Sequence, residues 1–247
     1  VLSHGRTILT VCNGGGDQSG PIDALQLKIM GVKSPERVGR LIEGITILRR
    51  LWSEERVTHE GKYYRFTDVE LLPKPVQQPM PIWIAVNPAE TAENERIIDR
   101  GLRRVAKYAD GWQTSPISAE GFRQRFATIR EYAAREGRDP SKLDSCLHLM
   151  VNINDDREAA AKEGAEFLTH YYGAHPFWTE HFDDWVAHGP PDAIAEKIQS
   201  YIDAGCTTPV LRFVSMDLKA QLRRCIEEVF PLIPGVERRT LAAGPVA

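Results

Sequence analysis

The residues best placed for chemistry lie near the start of the chain, in HGRTILTVCNGGGDQSG, His4 to Gly20. Thr7 to Cys12 is a short apolar and β-branched run, followed almost at once by Gly14, Gly15 and Gly16. Such a run reads as a strand that stops abruptly at a loop lying close to something. Side-chain alternation puts Ile8, Thr10 and Cys12 on one face, which passes from apolar to hydroxyl to thiol as it nears the glycines. That gradient suits the wall of a pocket at the carboxyl end of a strand, where α/β proteins hold their ligands; a core strand followed by a turn is the plainer reading. The loop has neither the glycine spacing of a dinucleotide fingerprint nor the lysine of a phosphate loop. A second candidate is His148, inside the apolar run Cys146 to Asn152. An imidazole on such a strand either meets a buried partner or faces a polar interior, because leaving it unpaired costs about 1–3 kcal/mol. His170, His175, His181 and His188 follow at gaps of five, six and seven residues. None of these gaps sets two imidazoles on one metal, so an aromatic-rich packed loop or lid is expected over 170–189.

These side chains need elements to position them. Strands are expected at Thr7–Cys12, Pro81–Val86, Trp112–Thr114, Cys146–Asn152 and Pro209–Phe213. Helical spacing of apolar residues marks 36–52, 93–109, 119–136 and 155–171. Two more helices follow, one opened by Pro190-Pro191-Asp192 and ended by Gly205, the other over Leu218–Phe230. Pro21 to Lys33 is a loop with a short helical piece. The polar residues Arg37, Arg40, Glu43, Arg49 and Arg50 form a solvated face, and His59 sits in a surface turn between two short extended segments. Strand then helix, five times over, favours parallel strands with helices outside them. Pattern alone suits either an open doubly wound sheet or a (β/α)8 barrel.

Composition bounds the class. The 247 residues are 42% hydrophobic and 26% charged, which suits one large domain or two small ones. A net charge of -3 with no basic block argues against nucleic-acid or anionic-membrane surfaces. No apolar run reaches the roughly 18 residues of a membrane span. Cys12, Cys146, Cys206 and Cys225 form no CxxC pair, which points to reduced thiols and a cytoplasmic location. Val1 lies so near the first strand that the chain is expected to lack a preceding part. One domain over 1–234 and a flexible tail over 235–247 are expected.

Six stretches carry a family likeness: Leu2 to Gly15, Glu36 to Trp52, Val57 to Ala85, Arg103 to Trp112, Glu136 to Leu143 and Gly189 to Gly205. In this order they resemble the luciferase-like family of flavin-dependent monooxygenases, which includes bacterial luciferase, alkanesulfonate monooxygenases and related deazaflavin-dependent reductases. The resemblance implies a TIM (β/α)8-type barrel, here an incomplete one holding strands four to eight. It implies that Cys12 stands where luciferase has a reactive cysteine beside the flavin, with Thr10 on the same face. Asn13 takes the place of an arginine used on the flavin phosphate. Asn87 and Ala89 occupy the phosphate turn after the fifth strand, where Pro88 removes one N–H donor. His148 matches a histidine of alkanesulfonate monooxygenases, while Cys146 replaces their nearby arginine, which argues against a sulfonate substrate. Catalytic roles are thus expected for His148 and Cys12, cofactor-binding roles for Thr10, Cys12, Asn13, Asn87 and Ala89, and no metal. The implied activity is a two-component monooxygenase that receives reduced FMN from a flavin reductase and acts with O2 on a small organic substrate. A deazaflavin coenzyme used for hydride transfer is one alternative, and a truncated, non-catalytic copy is another. A full-length form is expected to be a homo-oligomer. Cys12 and His148 are expected to point into one cavity.

Overall fold

A computed structural model describes residues 3–14, 20–88, 92–173 and 181–236. The chain forms two compact units: Val1–Thr114 with Gln124–Cys146, and Ser115–Arg123 with Leu147–Ala247.

In the first unit, β1 (Leu9–Val11) pairs in parallel with β4 (Ile82–Ala85), setting Leu9 against Ile82 and Val11 against Ile84. β4 pairs in parallel with β5 (Gly111–Thr114). The all-apolar β4 is buried along Ile82, Trp83 and Ile84, as a strand covered on both faces should be. Its cover on one side is α3 (Glu95–Tyr108), whose buried stripe is Gly101, Leu102, Val105 and Ala106. Gly101 permits a close approach: a Cβ there would lie 2.5 Å from Val86 Cγ1. Between β1 and β4 come α1 (Pro21–Ile29), α2 (Arg37–Ser53) and an antiparallel hairpin of β2 (Val57–Glu60) and β3 (Arg65–Val69).

The polar face of α2 is not a solvated face, which corrects the sequence reading. The Glu43 carboxylate accepts from the Tyr63 and Tyr64 backbone N–H groups at 3.0 and 2.9 Å and lies 3.1 Å from His59 Nε2. His59 is therefore a strand residue of β2 held against α2, rather than a surface turn residue. Arg49 donates to the Asp110 carboxylate at 2.9 Å, and that carboxylate also accepts from Ile82 N–H at 2.9 Å. The charges that looked like solvated positions tie α2 to the hairpin and to the turn between α3 and β5.

In the second unit the long strand β6 (Asp144–Ile153), which begins in the first, is buried almost throughout. α4 (Ala119–Arg135) lies between β5 and β6 in the chain, and α5 (Arg157–Tyr172) follows β6, capped by the Asp156 carboxylate accepting from the Glu158 and Ala159 N–H groups. The expected loop over 170–189 is corrected in part. A short helix α6 (Phe182–Trp185) leads into β7 (Val186–Gly189), which pairs in parallel with β6 from Met150↔Val186 to Ile153↔Gly189. Only Val186 and Ala187 are apolar there, too short a run to announce a strand. α7 (Pro191–Asp203) buries Ile194, Ala195, Ile198 and Tyr201, and the Tyr201 hydroxyl donates to the Ile117 carbonyl at 2.6 Å. β8 (Thr208–Phe213) and α8 (Leu218–Arg224) complete the described chain, with one wide π-type turn over Cys225–Val229.

Hydrogen bonding links the strands in the order β1-β4-β5-β6-β7, and β8 also pairs with β6. The five expected strands therefore follow sequence order without a reversal, which is the arrangement of an incomplete (β/α)8 barrel rather than a doubly wound sheet. Residues 237–247, most of the expected tail, lie outside the described residues. Among the described residues no helix is long and apolar enough to cross a membrane.

Candidate functional site

At the carboxyl end of β1 the chain walls a cavity of about 550 Å³. Its polar rim is Cys12, Asn13 and Gly14, while Leu27 after α1's midpoint, and Leu41, Ile45 and Leu48 of α2, supply the apolar wall. The helical spacing of those three α2 residues is what turns one stripe toward the cavity. Arg37, in the first turn of α2, donates to the carbonyls of Asn13 and Gly14 at 3.1 and 2.7 Å, which fixes the loop after β1. Gly14 has φ +61°, the left-handed region that favours glycine. α1 carries no buried residue, and its Ile22 and Ile29 are both more than 70% exposed.

Cys12 and Asn13 are thus brought together on one cavity wall. Thr10 is exposed on the same face of β1 as Cys12. Asn87 is exposed at the end of β4, in a turn whose Pro88 carbonyl accepts from Arg125 at 3.1 Å; Ala89 lies outside the described residues. The helix behind that turn opens with Glu95, whose carboxylate already meets the positive end of the helix dipole. The Cys12 cavity is walled by residues between Val11 and Tyr64, so His148 is not part of that wall.

His148 sits half-buried on β6 in the second unit. Its ring nitrogens have no hydrogen-bond partner among the described residues. Burial first, and then the positive charge of Arg212, hold its pKa below the ordinary value of 6.5, so the imidazole is neutral at pH 7. Further along the same face of β6, Asn152 is fully buried and donates to Glu163 at 2.9 Å and to the Val214 carbonyl at 2.8 Å. Ser215 donates to the same carboxylate at 2.7 Å, and Met216 N–H at 3.3 Å. Burial alone would raise the Glu163 pKa, but these donors overcome it and the net shift is downward. Gln221 clamps Ile153, accepting from its N–H at 2.7 Å and donating to its carbonyl at 3.0 Å. Sequence reasoning missed Arg212, Glu163, Ser215 and Gln221. Their signal is position: each lies at the end of a strand, or on the helix covering it, where barrel sites gather.

The cavity is large enough and apolar enough for a flat fused-ring coenzyme, and its rim offers a thiol and an amide. The two arginines on its wall are committed, Arg37 to backbone carbonyls and Arg40 to Glu36 at 3.0 Å. The four cysteines are free thiols, Cys12 exposed and the other three buried. Among the described residues no three His, Cys, Asp or Glu side chains converge as a metal site would require.

The family model for luciferase-like monooxygenases matches residues 1–208. An F420-dependent glucose-6-phosphate dehydrogenase from Kineococcus radiotolerans is 28% identical over 94% of this chain and 70% of its own length. An enzyme of the same name from Segniliparus rotundus is 27% identical over 83% of this chain and 62% of its own. This chain therefore spans about two thirds of the length of these relatives. An F420-dependent secondary alcohol dehydrogenase, solved with an F420–acetone adduct, superposes with a TM-score of 0.73 at 18% identity. The match covers 93% of this chain and 70% of that one, and shows the fold. These relatives correct the expected activity and cofactor. Their names specify the deazaflavin F420, so the reading as a two-component monooxygenase using reduced FMN is overturned.

Proposed function

Because the chain belongs to the luciferase-like monooxygenase family, we propose that it works as an oxidoreductase moving a hydride between a deazaflavin coenzyme and a small hydroxyl-bearing substrate. The observation that carries this reading is the run of F420-dependent dehydrogenase relatives aligned over most of this chain. A bound deazaflavin supplies a carbon centre that accepts or returns a hydride. Cys12 and Asn13 would hold its ring in the cavity after β1, with Thr10 beside them, and Asn87 would meet its phosphate.

The test is a pair of titrations of the purified chain, with oxidised F420 followed by its fluorescence and with FMN under the same conditions. Saturable binding of F420, and its anaerobic reduction when alcohols are supplied, is the expected result. Binding of FMN without binding of F420 overturns the reading, as does turnover that consumes O2.

A further inference from the structure

Arg212, half-buried on β8, makes no ion pair with any described carboxylate. Its Nη1 donates to the Tyr172 hydroxyl at 2.8 Å, and its guanidinium carbon lies 4.2 Å from the ring centre of Tyr171 and 5.7 Å from that of Tyr172. Of the five N–H donors of a guanidinium, Tyr172 uses one. Alternation continued one residue past β8 puts Arg212 on the side of Val214, and His148 lies on the face of β6 that carries Met150. Val214 and Met150 pack in one apolar cluster with Leu168 and Trp185, so Arg212 and His148 share a side of the sheet. Burial, and after it the charge of Arg212, hold the His148 pKa below its ordinary value. Two neighbouring groups thus have capacity to spare: a cation with unused donors, and an imidazole whose ring nitrogens make no hydrogen bond among the described residues.

A half-buried arginine without a carboxylate is costly unless something completes it. The planar fork suits an oxyanion with two coplanar oxygens, and the stacked tyrosines hold that fork in place so that little order is lost on binding. Tyr171, 60% exposed, and Val210, 42% exposed and on the Arg212 face of β8, leave the approach open and partly apolar. We propose that Arg212 and His148 form a binding site for the oxyanion, carboxylate or phosphate, of an organic ligand, with the Tyr171–Tyr172 pair as its wall. The site goes beyond the hydride-transfer reading and does not depend on it, since no coenzyme atom takes part.

The experiment is an NMR titration of the purified chain without coenzyme, following the His148 ring and the Arg212 Nε–H signals. Inorganic phosphate and benzoate are added separately, with chloride at equal ionic strength as the reference. Saturable shifts with phosphate, benzoate or both, absent with chloride, are expected; which anion saturates at the lower concentration identifies the preferred oxyanion. Arg212→Met should weaken that binding about tenfold or more. Arg212→Lys keeps the charge and loses the fork, and should weaken it several-fold; this variant decides the matter if Arg212→Met does not fold. No saturable shift with either anion, or binding that neither substitution weakens, overturns the site.

Discussion

At the scale of single residues, burial and hydrogen bonding set opposite tasks for His148 and Glu163. His148 has a folded-state pKa below 6.5, so between those two values the unfolded chain binds the extra proton and stability rises with pH. The contribution is present above 6.5 and is lost as pH falls toward the folded value. His148→Gln should therefore flatten the dependence of the urea midpoint on pH below about 6.5. An unchanged slope would mean that the imidazole is solvated in the folded chain. Glu163 is held ionised by donors alone: Asn152, Ser215 and the Met216 N–H. Glu163→Gln puts an NH2 group against one of those donors and should cost about 1–3 kcal/mol, read as a shift in the urea midpoint at constant slope. A neutral outcome would show that the network rearranges freely. His148 stands out in the sequence as a lone imidazole in an apolar strand. Glu163 does not, since a glutamate on a helix reads as surface until the strand ends packed beneath it are known.

At the scale of elements, close backbone approaches decide more than propensity. Gly101 sits inside α3, where glycine costs about 0.5–1 kcal/mol relative to alanine. It is kept because a Cβ would lie 2.5 Å from Val86 Cγ1, in a fully packed layer. Gly101→Ala should reverse the usual helix gain and destabilise by about 1–3 kcal/mol, measured by thermal unfolding; a rise in midpoint would show that Val86 can turn away. The same principle explains what the sequence left unread. Periodicity found the main helices and five of the strands, because burial imposes their spacing. It found neither β7, whose apolar run is two residues, nor the use of α2's polar face. Arg37, Glu43 and Arg49 have the spacing of solvated positions, and only the hairpin and turn packed beside them make them clamps.

At the scale of the whole molecule, the repeated strand–helix order and the six family stretches together indicate an incomplete barrel, while the coenzyme was misassigned. A barrel presents the same carboxyl-end face to FMN and to a deazaflavin, and the differing ring atom leaves no mark on spacing or hydropathy. A substitution that separates fold from coenzyme binding is therefore the informative one, and Gly44 provides it. It lies within α2 on the cavity wall, and a Cβ built there meets nothing within 4 Å. Gly44→Ala should accordingly stabilise the chain by about 0.5–1 kcal/mol, through helix propensity alone. Gly44→Phe keeps part of that gain and drives a ring into the space assigned to the coenzyme. Its thermal midpoint should match or exceed that of the parent, while its affinity for F420 falls about tenfold or more, as loss of a few well-packed contacts requires. Unchanged F420 affinity in a well-folded Gly44→Phe chain would move the coenzyme out of the Cys12 cavity without disturbing the choice of deazaflavin. Loss of both midpoint and affinity would show instead that the cavity is closed in solution and that α2 packs against β1.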